Sequence, residues 1–525
     1  MNFRSVVFAC AAALLVISSS APAQDKAADG QPEEKPKPIK IPDSVTLFKN
    51  VKIFDGESEH LKVGLDVLVV GNLIDKIAKN IPEEGAYEFD VAANQIKRVT
   101  APLAGLDGYT FNIVDAKGLE TKKKVEVKVI DGKGGTLMPG LIESHVHLNL
   151  QHMIGGYGTM EDRDWQEIGA MAAGAARSLL MDGFTTVRDC GTLQSGFRRA
   201  VNRGDLIGPR TYSAGGVISQ TSGHGDWRQK GFRTLGSRDT YKAAQLGMTY
   251  IQDGYDATLS AARQNLANGA DFNKMMMGGG IFSEKDPLHT VQSTTAEIQA
   301  VVEASTAWDT YVTAHIYNIR DAKRAINAGL KDILHIPFID VETAELMAEN
   351  GVFYNPQLSQ STPEVLEAIF GPTESVFKSK ARVAQEGMAA IPGVLLKVPK
   401  LLETTEFGVD IVASKPVDVL RGRDHEIWFW AEKFGNFRAL KCLTSNGGKL
   451  AALTGKLNPY PDGALGVIQE GAYADILIVD GNPLEDISVI GGNPKLFDAP
   501  DRRAGEIAAM KLIMKDGVIY KNTLE

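Results

Sequence analysis

The sequence predicts an α/β protein built on a TIM (β/α)8 barrel, with a small flanking β-sandwich made from both ends of the chain. Three observations predict this architecture. After residue 140, short apolar runs alternate with helical stretches, as parallel strands and their crossover helices require. On both sides of that region the pattern becomes β-rich. The length of 525 residues leaves room for a barrel and a second module.

The amino-terminal end has the features of a secretory signal. Arg4 supplies a positive charge, residues 6–17 form an apolar run too short to span a bilayer, and residues 21–23 (Ala-Pro-Ala) make a small-residue cleavage site. We expect a signal peptide over residues 1–23, a secreted or periplasmic location, and no stable membrane insertion after cleavage. An uncleaved membrane anchor and lipidation at Cys10 are the alternatives.

The parts of the chain outside the barrel are predicted from composition and alternation. Residues 24–44 are polar, rich in Lys, Glu and Pro, and are expected to form a disordered linker. Residues 45–139 are β-rich, with an irregular insertion at 81–124, and the simplest arrangement joins them to residues 456–525 in one β-sandwich domain. The strands expected here are Val51–Phe54, Leu65–Val70, the alternating run of Val125, Val127 and Val129, Ala474–Val479 and Met510–Met514.

Residues 140–455 are predicted to form the barrel, because each of eight apolar runs is followed by a plausible helix. The clearest helix is Glu161–Leu180, with acidic residues in its first turn and Arg177 near its end. The eight strands are expected to begin at Leu141, Thr185, Arg210, Asp271, Tyr311, Ile333, Val352 and Glu406.

Charge and cysteine content narrow the function classes. The net charge is −9 and no basic block stands outside short Lys runs, so the sequence does not favour nucleic-acid binding. Beyond the signal peptide only Cys190 and Cys442 remain, which is too few for a disulfide scaffold, and two free buried thiols are expected. Arg188 and Asp189 are interpreted as a structural ion pair.

The strongest chemical pattern is His145-Val146-His147, at the end of the first barrel strand. Alternate residues of a strand face the same side, so both imidazoles are expected to point into the barrel mouth. Functional residues of barrel enzymes stand at the carboxyl ends of strands. The other candidates at later strand ends are Lys274, His315, His335 and Asp410. With His145 and His147 they make four histidines, a lysine and an aspartate, a set that suits a two-metal site.

These motifs together resemble the amidohydrolase superfamily, in its two-metal branch with a carboxylated lysine. The resemblance is to the prolidase-like and imidazolonepropionase-like members and covers roughly residues 45–522. The motifs that carry it are IFDG at 53–56, TLMPGLIESHVH at 136–147, GFTTVRDCG at 183–191, GADFNK at 269–274 and ADILIVDGNPLEDI at 474–487.

The resemblance implies two divalent metal ions, with zinc as the default. His145, His147 and Asp410 would hold the more buried ion, and His315 and His335 the more exposed one. Lys274 would bridge both as a carbamate formed with CO2. Burial and nearby metal charge favour the neutral amine that this reaction needs.

The implied reaction is hydrolysis of an amide-type C–N bond in a small-molecule substrate such as a dipeptide or N-acyl amino acid. A metal-bridging hydroxide would attack, with Asp410 as the general acid and base. Two segments after strands three and eight, Ser222–Arg228 and Arg421–His425, are interpreted as substrate loops. The candidate substrate contacts are His224, Arg228, Tyr317 and His425.

Other functions remain open at this stage. A cyclic-amide hydrolase or deaminase would use one metal, and such enzymes commonly carry Glu at the position of Asn318. A phosphotriester or lactone hydrolase would use a similar two-metal centre, whereas a non-catalytic binding protein would be expected to lose ligands. Relatives are often homo-oligomers, and the sequence leaves that state open.

Overall fold

The computed structural model describes residues 42–90, 95–99, 108–115, 117–151, 163–228, 241–411, 416–496 and 498–524. The predicted signal peptide and nearly all of the predicted linker lie outside the described residues. Within the described part of the chain, no helix is long and apolar enough to cross a membrane.

The described residues form twenty-one strands in four sheets. The strands are β1 (Val45–Ile53), β2 (Lys62–Val70), β3 (Leu73–Ala78), β4 (Gly85–Asp90), β5 (Gln95–Val99), β6 (Tyr109–Val114), β7 (Glu120–Val125), β8 (Val127–Asp131), β9 (Thr136–Pro139), β10 (Leu141–Val146), β11 (Phe184–Asp189), β12 (Arg210–Ser213), β13 (Val217–Ser219), β14 (Thr249–Ile251), β15 (Asn273–Met276), β16 (Val312–Ile316), β17 (Asp332–His335), β18 (Phe353–Asn355), β19 (Ile476–Val479), β20 (Met510–Lys515) and β21 (Val518–Asn522).

Fourteen α-helices lie among the same residues, all of them after β10 and before β19. The helices are α1 (Trp165–Met181), α2 (Ser195–Arg203), α3 (Lys242–Gln245), α4 (Tyr255–Ala267), α5 (Thr295–Thr306), α6 (Ile319–Ala328), α7 (Val341–Glu349), α8 (Pro363–Phe370), α9 (Val376–Met388), α10 (Ile391–Lys397), α11 (Pro399–Leu402), α12 (Pro416–Phe434), α13 (Asn436–Leu443) and α14 (Ser445–Ala452).

The two ends of the chain share one eight-stranded sheet. Its order is β21-β20-β19-β9-β1-β2-β3, with β8 added beside β1. Strand β9 from the amino-terminal part pairs antiparallel with β19 from the carboxy-terminal part over four residues. A two-residue turn joins β20 to β21, with Asp516 and Gly517 both at positive φ as such a hairpin turn requires.

Residues 81–124 lie between two strands of the eight-stranded sheet, as the predicted insertion requires, but the prediction that this segment is irregular is wrong. Strands β4 to β7 form a separate four-stranded sheet in the order β5-β4-β6-β7. Tyr87, Tyr109 and Phe111 of this sheet are buried against Leu47 and Leu68 of the eight-stranded sheet, so the two sheets pack together. The predicted single strand around residue 127 is also two strands, since β7 and β8 belong to different sheets.

The barrel strands follow the predicted order and pair in parallel. Strands β10 to β12 form one sheet, and β15 to β18 run side by side in another. Between the two sheets, the Asp271 amide donates to the Ser213 carbonyl. At the other side, residues 404–410 lie between β18 and β10. The backbone amide of Glu406 donates to the Tyr354 carbonyl, and the backbone amide of Ser144 donates to the Phe407 carbonyl. Hydrogen bonds thus join each segment to the next and the last to the first.

Two of the eight segments differ from the predicted regular strands. The third is split into β12 and β13, because Gly215 adopts a φ of +68° between them; β12 pairs with β11, whereas β13 pairs with β15. The eighth makes only an isolated bridge at Thr405, and Asp410 at its end has a φ of +49°.

The helical predictions hold better for the first helix than for the segment after strand eight. Helix α1 begins after Asp164, whose side chain accepts a hydrogen bond from the Glu167 amide and caps the helix, whereas residues 161 and 162 lie outside the described residues. The predicted loop Arg421–His425 is wrong, because these residues lie within α12. Their charged groups suggested a loop, but Arg423 is buried against Asp182.

A buried arginine links the barrel to the eight-stranded sheet through ion pairs. Arg210 at the start of β12 donates to Asp475 at 3.0 Å and to Asp516 at 2.6 Å. Its guanidinium carbon also lies 3.8 Å from the centre of the Tyr473 ring. Arg210 and Asp475 are both almost fully buried, so each charge depends on the other for compensation.

We therefore expect Arg210→Met to lower the free energy of unfolding by about 3–5 kcal/mol, since it leaves a buried carboxylate without its partner. Urea denaturation at neutral pH measures this change. The matched control is Arg203→Met, which removes an exposed pair with Asp205 and should cost at most about 0.5 kcal/mol. Equal stability of the two variants would contradict the role assigned to Arg210.

Candidate metal centre

The site is formed where the barrel strands end. His145 and His147 lie at the end of β10, and both are buried. Asp410 reaches them from the eighth segment, whose backbone is held against β10 by a hydrogen bond from the Asp410 amide to the His145 carbonyl. Residue 408 must be glycine for this approach, because a Cβ there would lie 2.6 Å from His145 Cβ and 2.6 Å from Asn355 Nδ2.

Three of the predicted ligands converge on one point. One ligand atom each from His145, His147 and Asp410 lies within 4.8 Å of the other two. The Nε2 atoms of the two imidazoles are 3.6 and 3.5 Å from Asp410 Oδ1, respectively. His335 approaches from β17 with its Nε2 3.9 Å from Asp410 Oδ2.

Backbone strain is concentrated at the same residues. His335 has a φ of +76° and Asp410 a φ of +49°, and both are non-glycine residues in the left-handed region. Such conformations cost on the order of 1–3 kcal/mol and persist where the surroundings enforce them, often at functional sites. The side chains of these two residues face each other, with His335 Nε2 3.9 Å from Asp410 Oδ2.

Burial keeps the four imidazoles neutral. It lowers the pKa of His147 to about 4, and it lowers the pKa values of His145, His315 and His335 well below the usual value. The charge of Lys274 adds to this effect in all four. A neutral imidazole has a free lone pair, which is the form that binds a metal ion.

The pKa values of Lys274 and Asp410 are shifted in opposite directions from their ordinary values. Burial lowers the pKa of Lys274 to about 8, although the opposing charges of Cys190 and Asp410 raise it again in part. Burial also raises the pKa of Asp410 to about 7, and the charge of Lys274 offsets part of that rise. Lys274 is 1% exposed on β15, so its amine reaches the neutral form far more easily than an ordinary lysine does.

His315 lies beside the three converging residues rather than among them. Its ring stacks on His224 with 4.1 Å between centroids and lies edge-on to His335 at 4.4 Å. The ring of Tyr317 also stacks on His315, with 4.7 Å between centroids. The structure therefore brings His224 and Tyr317, two of the predicted substrate contacts, against the predicted ligand His315.

The other two predicted substrate contacts are engaged elsewhere. Arg228 donates through Nε and Nη2 to the carboxylate of Asp226, with both distances at 2.7 Å. His425 lies on α12, where its Nδ1 is 3.3 Å from the Asn493 carbonyl and its ring stacks on Trp428.

Sequence reasoning missed three buried residues that support the site. Glu143 accepts hydrogen bonds from the amides of His145 and Val409, which joins β10 to the eighth segment, and burial raises its pKa to about 8. Asn355 and Gln357 contact the imidazoles of His145 and His335. Period-two alternation could have found Glu143, because it precedes His145 by two residues on the same strand.

The interpretation of Arg188 and Asp189 as an ion pair is wrong. Arg188 pairs with Asp332 and donates from Nε to the Ser144 carbonyl. Asp189 instead accepts from the amides of Leu148 and Gly191, which shapes the loop whose carbonyl faces His147. Both cysteines are free and buried, as expected.

The chain matches the amidohydrolase family over residues 136–396. It is 30% identical over 374 residues to ochratoxinase from Aspergillus niger, an alignment that covers 67% of this chain and 72% of the relative. The chain belongs to the amidohydrolase family.

Solved structures of other amidohydrolases support the same assignment. One amidohydrolase structure has a TM-score of 0.73 and 26% identity, covering 92% of this chain and 100% of that one. A prolidase complexed with N-methylphosphonate-L-proline has a TM-score of 0.72 and 25% identity, covering 91% and 100%. This amidohydrolase is therefore a hydrolase acting on C–N bonds, with a TIM barrel and an additional domain.

The residues present fit a divalent metal ion. His145 Nε2 and Asp410 Oδ1 are buried, face each other, and lack a hydrogen-bond partner among the described residues. Buried polar atoms of this kind are costly unless they bind a partner, and an ion would satisfy both. Imidazole nitrogen with carboxylate oxygen is a donor set that suits zinc and similar divalent metals.

Proposed function

We propose that this amidohydrolase cleaves the amide C–N bond of a dipeptide or N-acyl amino acid at a two-metal centre. The observation that carries the proposal is the convergence of His145, His147 and Asp410, with His335 next to them and the buried Lys274 on barrel strand β15. His145, His147 and Asp410 would hold one ion, and His315 and His335 the other. Bound divalent ions, with zinc as the first candidate, would polarise the scissile carbonyl and lower the pKa of water.

Lys274 contributes an anionic oxygen ligand once it is carboxylated. Its neutral amine forms a bond to the carbon of CO2 and loses a proton, which gives a carbamate. The pKa of about 8 makes the neutral amine accessible near physiological pH, and burial excludes most competing water. Carboxylation also replaces a cation by an anion in a pocket of neutral imidazoles, which favours the binding of dications.

Asp410 is positioned to move the proton of the reaction. Its Oδ1 lies within 3.6 Å of both His145 and His147 Nε2, so it would adjoin a water activated at this centre. A carboxylate there accepts that proton and delivers it to the leaving nitrogen, as a general base and then a general acid. Removing such a group typically slows a reaction by about 10²–10⁴-fold.

His224 and Tyr317 are the substrate contacts that the geometry supports best, because both rings pack against His315. The family relatives support a small acyl or aminoacyl substrate, since one of the similar structures is a prolidase that holds a proline phosphonate and the curated relative is an ochratoxinase. Arg228 and His425 would have to leave Asp226 and Asn493 to take part.

The test combines metal content with a substrate screen on the mature protein. We expect about two metal ions per chain by elemental analysis, with amine release from dipeptides or N-acyl amino acids that stops on chelation. A chromogenic phosphotriester and a panel of cyclic amides separate the alternative hydrolases. One tightly bound ion, or turnover of cyclic amides or phosphotriesters alone, would overturn the proposal.

We also propose that the protein is exported, on the evidence of the charged, apolar and small-residue regions at its amino terminus. Amino-terminal sequencing of protein recovered from periplasm or medium should begin at Gln24. Recovery of the uncleaved chain in the membrane fraction would contradict this proposal.

A further inference from the structure

Two buried amide side chains, Asn355 and Gln357, lie behind the imidazoles of two predicted ligands. Asn355 ends β18, and Gln357 follows two residues later. His145 Nδ1 lies 3.1 Å from Asn355 Oδ1, and His335 Nδ1 lies 2.6 Å from Gln357 Oε1. Gln357 Nε2 is 2.7 Å from Asn355 Oδ1, so a continuous chain of hydrogen bonds joins one imidazole to the other.

Backbone carbonyls fix the orientation of both amides. Asn355 Nδ2 faces the Glu406 carbonyl at 3.1 Å, and Gln357 Nε2 faces the Asn355 carbonyl at 3.2 Å. A carbonyl only accepts, so the NH2 group of each amide must stand on that side. The oxygen of each amide must then face an imidazole.

This arrangement determines which imidazole nitrogen carries the proton. Because an amide oxygen only accepts, Nδ1 of His145 and Nδ1 of His335 must both donate. The approach of Gln357 Nε2 to His145 Nδ1 at 3.4 Å does not change this, since Asn355 Oδ1 is closer. Both rings therefore present the Nε2 lone pair toward Asp410, which is the tautomer a metal ion needs.

We infer that Asn355 and Gln357 are positioning residues that couple the two metal positions. The inference rests on the proposed function, in which His145 and His335 hold different ions. Gln357 links the two because it accepts from His335 and donates to Asn355, which accepts from His145. Replacing either amide side chain should therefore lower the affinity of the protein for both metal ions rather than for one.

The experiment measures Zn²⁺ affinity and stoichiometry of the full chain by competition with a chromophoric chelator. Gln357→Met keeps the length of the side chain but cannot accept the hydrogen bond from His335 Nδ1. It should lower the affinity for both ions by about 10–100-fold. Gln357→Glu restores the acceptor for His335 but not the donor to Asn355, so it should bind the ion held by His335 at least tenfold more tightly than Gln357→Met does, while the ion held by His145 stays weakly bound. Gln194→Met is the matched control, because Gln194 donates only to the Gly247 carbonyl in the described structure, and should keep wild-type affinity.

Asn355→Leu and Asn355→Asp form a second, independent pair that decides the matter if Gln357→Met does not fold, as judged by circular dichroism. Asn355→Leu should lose affinity for both ions, whereas Asn355→Asp keeps the acceptor for His145 and should recover it. Unchanged affinity in folded Gln357→Met and Asn355→Leu, loss of one ion alone, or no rescue by the acidic variants would overturn the inference. Failure of the wild-type protein to bind metal would instead overturn the proposed function.

Discussion

Lys274→Ala is expected to strip the protein of most of its bound metal and to slow hydrolysis by at least about 10²-fold. Loss of an outer partner of a metal ligand already costs about 10–100-fold in affinity or activity, and here the proposed bridging ligand itself is removed. Elemental analysis after dialysis measures the metal, and amine release from a dipeptide measures the rate. Wild-type protein in ¹³C-bicarbonate should also show a carbamate carbon signal that the variant lacks.

Lys515→Ala is the matched control for this experiment. Lys515 on β20 is also a buried lysine whose pKa is lowered to about 8 by burial, but its amine donates to the Gly208 carbonyl, outside the metal centre. This variant should lose some stability and keep its full metal content. If Lys274→Ala retains two ions, the carbamate has no place in the mechanism.

Asp410→Asn is expected to lower kcat by about 10²–10⁴-fold, because the amide can still offer an oxygen but cannot take up and return a proton. Steady-state kinetics of the metal-loaded protein measures this loss of kcat. Asp309→Asn is the matched control, since Asp309 is an exposed aspartate paired with Lys456 and should leave kcat unchanged. Near-wild-type turnover by Asp410→Asn would assign the proton transfer to another group.

The same variant has a stability signature in the metal-free protein. The pKa of Asp410 is raised from 3.8 to about 7, so the stability that the protonated group contributes is full below pH 4 and is lost as pH rises through about 7. Asn cannot ionise, so the melting temperature of metal-free Asp410→Asn should fall less over this range than that of the wild type. Parallel pH profiles would show that the carboxyl group ionises without cost.

The site was predictable from sequence where one side chain and one local pattern were sufficient. His145 and His147 alternate on a strand, so their common direction follows from the period of the backbone alone. Asp410 was predicted at the end of a strand, and it occupies that place although the segment is not a regular strand. The positions of parallel strand ends are set by the barrel, which tolerates such local irregularity.

The features that escaped prediction depend on contacts between distant residues. Strand β7 has the sequence ETKKKV, which carries little apolar signal, and it exists because it pairs with β6. The charged run in α12 resembled a loop because Arg423 finds Asp182 far away along the chain. Asn355 and Gln357 flank a proline after a short strand, and only their contacts with His145 and His335 reveal their role.

The sheet shared by both chain ends has a consequence for how the protein is made. Strand β9 runs directly into β10, which carries His145 and His147, and β9 pairs with β19 near the opposite end of the chain. During synthesis, β9 therefore has an open edge until β19 is available to pair with it. A chain cut short after α14 would contain all six candidate ligands and still lack the support for the strand that bears two of them. The metal centre is thus expected to assemble only after β19 has joined the sheet.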